Sequence, residues 1–235
     1  MAVIAEMKDF LGVYLENWAD WGPQIYAAIW VTLELTVVSF FIAVVLGMLL
    51  ALGKLSPVRL SRALCTGYIE VARGVPALAI LFLLYFGLVP LGIVFDAFTA
   101  SAIGLGMSAA GYIAEVFRSG IEAIHKGQRE AALSVGMTPI KTFRHIILPQ
   151  AMRIILPPLL NMVIILLKDT SICSLISTEE LMLRSKDLAM MSFLPMHLFL
   201  LAGVIYFFLA WPMSMLTRRV DLMMQRGRRQ TFSVR

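Results

Sequence analysis

The sequence EAALSVGMTPIKTFRHIILP, from Glu130 to Pro149, is a polar and basic segment between two strongly apolar parts of the chain. The residues before Gly136 are good helix formers, and a glycine can end a helix in the left-handed conformation. Thr138 and Pro139 can begin a second helix, with the proline at its first position, and we expect Pro149 to end it. The segment therefore predicts two short helices set at an angle to each other.

The composition of the rest of the chain is that of a membrane protein. Hydrophobic residues make up 60% of the 235 residues and charged residues only 15%, far from the balance of soluble domains. The uncharged runs 74–95 and 188–217 are each long enough to cross a hydrocarbon layer of about 30 Å. We therefore predict an all-α protein that crosses the membrane several times.

The order of apolar and charged segments predicts five transmembrane helices. They fall at about 25–52, within 74–95, within 97–118, between 153 and 178, and within 188–217. Before them, apolar residues at three-and-four spacing alternate with acidic ones, which predicts an amphipathic helix on the membrane surface. The predicted parts are thus an interfacial segment at 1–24, a membrane domain at 25–217 with a loop at 122–150, and a basic tail at 218–235.

The basic residues predict the orientation of these helices, because Lys and Arg are concentrated in cytoplasmic connections. Residues 1–24 contain one basic residue, Lys8, and the connection near Asp96 contains none. The other connections and the tail are rich in Lys and Arg. We therefore predict that the N-terminus lies outside and the C-terminus in the cytoplasm, with the loop between the third and fourth helices also cytoplasmic.

The spacing of the quoted segment resembles the cytoplasmic coupling loop of the membrane subunit of ATP-binding-cassette importers. The matching positions are Glu130, Ala131, Ala132, Gly136, Ile146, Leu148 and Pro149, with Pro139 opening the second helix. The similarity covers about residues 24–224 and is greatest to the polar amino-acid uptake branch. Arg73-Gly74-Val75-Pro76 resembles that branch's Arg-Gly-Thr-Pro, and Val75 lacks the hydroxyl that the threonine carries.

This resemblance implies a permease subunit that moves a polar or charged amino acid across a bacterial inner membrane by alternating access. It also implies four protein partners: two cytoplasmic ATPase subunits, a second permease subunit and an external solute-binding protein. Membrane lipid would surround the permease. ATP and magnesium would bind to the ATPases. We expect no cofactor, metal ion or catalytic residue in this chain, and no nucleic-acid partner.

The sequence disfavours two other classes of protein. An ion-gradient-driven secondary transporter of small polar solutes would need no ATPase, but five helices without an inverted repeat argue against it. A membrane-embedded enzyme would need a nucleophile or metal ligands, and the three histidines are scattered along the chain. The nearest approach to a phosphate-binding loop, from Gly47 to Leu55, has Leu55 where Ser or Thr should bind magnesium.

Charged residues within the fourth predicted helix are candidates for the translocation pathway. Only 14 uncharged residues separate Arg153 from Lys168, fewer than the roughly 17 to 25 that a crossing needs. A crossing that begins at Pro157 would place a charged pair near half depth. We therefore predict that the pathway is lined by Lys168, Asp169, Thr170 and Ser171. A structural ion pair, or a short re-entrant segment, is the alternative.

The sequence Glu-Val-x-Arg occurs twice, at Glu70 to Arg73 and at Glu115 to Arg118. At this spacing each glutamate can meet its own arginine on a helix face. Both copies fall near the cytoplasmic ends of predicted helices. They are interpreted either as local ion pairs or as part of an inner gate.

Overall fold

The computed structural model describes the backbone of residues 2–229 and the side chains of residues 10–224. The prediction of an all-helical protein is confirmed over these residues. The α-helices are α1 (Ala2–Leu55), α2 (Arg59–Gly74), α3 (Ala77–Phe82), α4 (Ala97–Glu122), α5 (Lys126–Ser134), α6 (Pro139–Thr142), α7 (Leu148–Asp169), α8 (Leu181–Ser192) and α9 (Pro195–Arg229). Wider π-helical turns occur at Leu83–Gly87 and Phe143–Ile147, and tighter 3₁₀ turns at Val89–Leu91 and Thr170–Ile176.

Four of the described helical segments are long and apolar enough to cross a membrane by themselves. They are Phe10–Leu55, Ala97–Glu122, Pro139–Ile176 and Pro195–Met224. A fifth crossing exists if α2 and the segment Ala77–Leu91 are taken as one broken span, although they meet at 105°. The predicted number of five therefore depends on this bent pair.

The helical residues Ala77–Leu91 lie within the predicted bounds of the second crossing, 74–95, but are too few to count as a crossing by themselves. Residues 77–91 would extend about 22 Å at about 1.5 Å per residue, less than a layer of about 30 Å. The bend follows from Pro76, which fixes its own φ and pushes the residue before it out of the helical region. Val75 is indeed extended, with φ −93° and ψ 131°. Helix α2, before the bend, is amphipathic and carries four charged residues, Arg59, Arg62, Glu70 and Arg73.

Helix α1 is continuous from Ala2 to Leu55, so no break separates the predicted interfacial segment 1–24 from the first crossing. Pro23 removes one backbone donor without ending the helix, as transmembrane helices tolerate. Val3, Ile4 and Met7, which contribute to the predicted apolar face, lie outside the described side chains. A position of this part on the membrane surface stays a prediction.

Helix α4 lies at the centre of the molecule and packs against α1, α2 and α7. It begins at Asp96, whose carboxylate accepts a hydrogen bond from the Thr99 N–H at 3.0 Å, and hydrogen bonds from Thr99 lower the pKa of that carboxyl. Glycines allow its neighbours to come close. A methyl group at Gly106 would lie 2.6 Å from Cγ2 of Ile42 on α1. Small residues in α4 thus form a helix contact.

The predicted helix stop at Pro149 and helix start at Pro157 are both wrong. Helical structure runs from Pro139 through the π turn into α7 without interruption, and it passes through Pro157 and Pro158. A proline ring normally clashes with the carbonyl four residues earlier. The π turn just before Pro149 widens the helix at this point, which is how helices absorb such a residue.

The last predicted crossing, 188–217, is divided in the structure. Its first residues belong to α8, which ends at Ser192 and is followed by Phe193 in the left-handed conformation with φ 57°. The membrane-length helix α9 begins only at Pro195. A non-glycine residue in this conformation gives no clear sequence signal, so apolar content alone placed the boundary too early.

Candidate functional site

The segment around Gly136 forms the two angled helices that its sequence predicts. Gly136 has φ 81°, its N–H donates to the Leu133 carbonyl at 3.0 Å, and the Met137 N–H donates to the Ala132 carbonyl at 3.1 Å. These two bonds make the glycine-ended helix stop known as a Schellman motif. Thr138 then caps α6 by accepting a hydrogen bond from the Lys141 N–H at 3.4 Å.

The loop around the turn between α5 and α6 exposes Glu130, Val135 and Ile140, which we call the coupling surface after the predicted coupling loop. The two apolar side chains are 78% and 80% exposed, and they lie in a loop that is otherwise polar and basic. Of the other motif positions, Ala131, Gly136, Pro139 and Pro149 are exposed, Ile146 and Leu148 are half-buried, and Ala132 is buried. Sequence reasoning missed Val135 and Ile140, although both flank the turn directly.

The second Glu-Val-x-Arg copy is part of a charged network. Glu115 accepts a hydrogen bond from Nε of Arg118 at 2.8 Å and is also paired with Lys54, at the end of α1. Arg118 reaches on to Glu122. All four side chains belong to α1 or α4, which also pack against each other along the membrane core. The contacts support the interpretation as local ion pairs, and a gating role for Glu115 and Arg118 stays a prediction.

The first copy does not form the expected ion pair. No salt bridge joins Glu70 to Arg73 within the described side chains. The guanidinium carbon of Arg73 instead lies 5.7 Å from the ring centre of Tyr112 on α4, and the Tyr112 hydroxyl donates to the Arg73 carbonyl at 3.3 Å. A cation over an aromatic face is an attractive arrangement, so a tertiary partner replaces the local one.

Arg73 borders a cavity of about 370 Å³ where α2 breaks, and we call this space the cavity. Helix α4 contributes Ser108 and Tyr112, and α7 contributes Asp169 together with apolar side chains. The cavity thus brings together Arg73 and Asp169, two predicted site residues that are 96 positions apart in the sequence. The sequence placed them in separate groups, as gate and as pathway.

The other predicted pathway residues do not line the cavity in this conformation. Lys168 is exposed, and no ion pair joins it to Asp169 in the part of the chain that has described side chains. Thr170 is fully buried and its hydroxyl donates to the Leu167 carbonyl at 2.8 Å. Ser171 is half-buried and donates to the Lys168 carbonyl at 2.7 Å. Of the four, Asp169 alone faces the cavity.

A buried carboxylate that the sequence analysis missed lies just beyond this region. Glu180 is fully buried and accepts hydrogen bonds from the Met182 and Leu183 N–H groups and from the Tyr206 hydroxyl, the last at 2.6 Å. Burial raises the pKa of the Glu180 carboxyl, and these hydrogen bonds oppose that shift. Glu180 therefore caps α8 and holds it against α9. Glutamate is not among the residues that usually cap helices, so the sequence carried no signal for this role.

Comparisons with known proteins agree with this architecture. Residues 43–229 match the family described as "Binding-protein-dependent transport system inner membrane component". The probable amino-acid ABC transporter permease protein YckA of Bacillus subtilis is 42% identical over 184 residues, which cover 78% of this chain and 81% of that protein. The arginine transport system permease protein ArtQ of the same organism is 34% identical, with coverage of 85% and 91%.

A solved structure supports the same conclusion. It is described as an amino acid ABC transporter with histidines, and its fold matches this chain with a TM-score of 0.83 and 33% sequence identity. The match covers 88% of this chain and 97% of that one. Family match, sequence relatives and fold agree over most of the length. The chain is a multi-pass membrane protein that belongs to the family of inner membrane components of binding-protein-dependent transport systems.

Proposed function

We propose that the chain is the permease subunit of an ATP-driven importer that carries an amino acid across the inner membrane of a bacterium. One observation carries this proposal: an uninterrupted helical path joins the coupling surface to the cavity. The path begins at Pro139 in α6, passes through the π turn and ends at Asp169 in α7. At about 1.5 Å per residue its length is about 45 Å, enough to connect the membrane surface with a site deep inside.

The orientation fits this path. Lys and Arg are concentrated in the loop 122–150 and in the tail, which supports a cytoplasmic position for both and an outside N-terminus. The coupling surface then faces the compartment that contains ATP. Its exposed Val135 and Ile140 offer apolar contact area to a soluble partner, and Glu130 offers a charge.

The family and the amino-acid permeases among the relatives support a set of partners. We propose two ATPase subunits at the coupling surfaces, with ATP and magnesium bound to them, and a second permease subunit, identical or related. An external solute-binding protein delivers the solute. In this assembly the broken pair of α2 and Ala77–Leu91 completes a fifth crossing, and the Arg73 to Pro76 bend lies beside the pathway.

The mechanism is alternating access. ATP binds better to the closed ATPase pair than to the open one, so its binding draws two coupling surfaces together. Because α6 and α7 are one continuous path, this movement tilts the wall of the cavity that contains Asp169 relative to α4. The cavity then opens outward, and hydrolysis of ATP returns it to the inward-facing state.

The cavity suits an amino acid because it offers a cation and an anion to a zwitterion. Arg73 can bind a carboxylate through its planar fork, and Asp169 can bind an ammonium group. Each solute charge would otherwise lose its hydration in apolar surroundings without compensation. Lys168, Thr170 and Ser171 remain proposed pathway residues for another conformation, since none of them borders the cavity here.

Uptake into vesicles tests the proposal. The permease is purified with the subunits that accompany it, placed in lipid vesicles with ATP inside, and supplied with labelled amino acids and the binding protein outside. We expect uptake that needs ATP and continues when ionophores remove proton and sodium gradients. Uptake that persists without ATP but stops with the gradient would establish a secondary transporter instead.

A further inference from the structure

The wall of the cavity contains one basic and one acidic side chain. Among the described residues that line it, Arg73 is the only basic residue and Asp169 the only acidic one. They lie on different elements, at the end of α2 and at the end of α7. Glu70 and Lys168 are close in sequence to these two residues but do not line the cavity. The cavity therefore offers one partner for an anion and one for a cation.

The rest of the wall is mainly apolar. It includes Val75, Leu105, Ala109, Met162, Ile165 and Leu166. The Ser108 hydroxyl is without a hydrogen-bond partner among the described residues, and the Tyr112 hydroxyl has one weak bond at 3.3 Å. A volume of about 370 Å³ lies near the lower end of the range of about 300–1,000 Å³ for small-molecule sites. The space suits a single small solute with a few neutral polar atoms.

We propose that this cavity selects an α-amino acid whose side chain is uncharged, an inference that rests on the proposed function of the same site. The carboxylate of the solute pairs with Arg73 and its ammonium group pairs with Asp169. Both charged side chains are then occupied. A third charge on the solute would face apolar side chains, where an unpaired ion loses its hydration without a partner.

An uncharged side chain avoids this cost in two ways. Its carbon atoms can pack against Met162, Ile165 and Leu166, and its neutral polar atoms can bond to Ser108 or Tyr112. Arginine, glutamate and lysine all carry the third charge that the cavity leaves without a partner. The relative named for arginine transport makes a charged solute the natural alternative, so the test includes arginine directly.

Solutes of equal shape and different charge isolate this effect. Binding is measured with the permease and its accompanying subunits in lipid nanodiscs, without the solute-binding protein, so that the membrane site alone selects. The labelled pairs are glutamine against glutamate and citrulline against arginine. We expect the uncharged member of each pair to bind at least tenfold more tightly. Equal or tighter binding of glutamate or arginine would overturn the inference.

Variants with matched controls test whether the cavity wall sets the selectivity. Ile165→Glu adds a second carboxylate to the wall, and Ile165→Gln has the same shape without the charge. We expect the ratio of arginine to citrulline binding to rise at least tenfold in Ile165→Glu relative to Ile165→Gln. If Ile165→Glu does not assemble, Ser108→Asp against Ser108→Asn makes the same comparison from α4. An unchanged ratio in the variant that assembles would place the selection elsewhere.

The outcome separates this inference from the proposed function. An assembly that carries arginine and glutamate as well as citrulline and glutamine is still an importer, and only the selectivity fails. An assembly that hydrolyses ATP but neither binds nor transports any amino acid would overturn both. Tighter binding of the uncharged solutes, together with the effect of the added carboxylate, supports both.

Discussion

The angle between α5 and α6 depends on one residue, Gly136, in a backbone conformation that other residues rarely adopt. Its φ is 81°, and a methyl group there would meet nothing within 4 Å. The cost of a larger side chain at this position is therefore conformational and not steric. Asparagine tolerates the left-handed conformation much better than a β-branched residue does.

We predict that Gly136→Val changes the coupling surface and that Gly136→Asn does not. Valine in the left-handed conformation costs about 1–2 kcal/mol, so the turn between α5 and α6 should rearrange. The measurements are the amount of ATPase that purifies with the permease and the rate of uptake. Both should fall in Gly136→Val, with membrane insertion unchanged, and stay near normal in Gly136→Asn. Normal values for the valine variant would show that the turn angle has no part in docking.

The two Glu-Val-x-Arg copies provide a matched pair for the charged network. Glu115→Gln removes the carboxylate that Lys54 and Arg118 share, whereas Glu70→Gln changes a carboxylate without a salt bridge in the described residues. Hydrogen bonds to charged groups contribute about 1.5–3 kcal/mol to stability. The contribution here is smaller, because the side chains of Lys54 and Glu115 are each about a fifth exposed to solvent. We expect the unfolding temperature in detergent to fall in Glu115→Gln only. Equal melting of both variants would contradict the network's role in stability.

Local rules predicted some of these residues well and failed on others for a physical reason. The left-handed Gly136 and the helix start at Pro139 follow from backbone conformation, which depends on the residue itself. The partner of Arg73 does not, because Tyr112 on another helix competes with Glu70 on the same one. A spacing of three residues shows that a pair can form, and the packed structure decides whether it does.

At the scale of elements, three prolines in similar apolar surroundings have different effects. Pro76 lies at a bend of 105°, Pro149 follows a π turn, and Pro157 lies within a continuous helix. Each removes a donor, but neighbouring helices and a wider turn can accommodate the loss. The sequence therefore predicts where a helix can break, and the packing determines where it does. This explains why a helix stop at Pro149 and a helix start at Pro157 were predicted incorrectly.

The continuous path from α6 to α7 predicts that added flexibility will uncouple ATP use from transport. Met152 and Arg153 are both exposed, so their replacement disturbs little packing. The double change to glycine costs about 1 kcal/mol of helix stability per residue relative to alanine and loosens the path. We expect several-fold less uptake per ATP hydrolysed, with ATPase binding retained. The control is the double change to alanine, which keeps the helix and removes the same side chains.

Equal uptake per ATP in the glycine and alanine variants would show that α7 does not transmit the movement. Loss of ATPase binding in both would assign Met152 or Arg153 to docking instead. The comparison of the two double variants separates stiffness from side-chain chemistry, because they differ only in backbone freedom.

At the scale of the whole molecule, the wall of the cavity joins segments that the sequence separates widely. The bend after α2, the middle of α4 and the end of α7 meet there, with charged residues from the first and the last. Alternating access requires this space to open to one side of the membrane at a time. Ser108 on α4 borders the cavity, whereas Thr170 is fully buried, so the two positions should report differently on the opening.

We predict that a cysteine at Ser108 reacts with water-soluble thiol reagents and changes its accessible side during the transport cycle. The background replaces Cys65 and Cys173, which are half-buried and buried, so that the new thiol is the one labelled. In vesicles, reagent from the cytoplasmic side should react without ATP, and reagent from outside should react when ATP is trapped with the binding protein present. A saturating amino acid should slow both reactions because it fills the cavity.

Thr170→Cys is the control and should stay unreactive in the state without ATP. Labelling of the Ser108 position from one side only, whatever the nucleotide, would mean that this cavity does not alternate and that the solute takes another route.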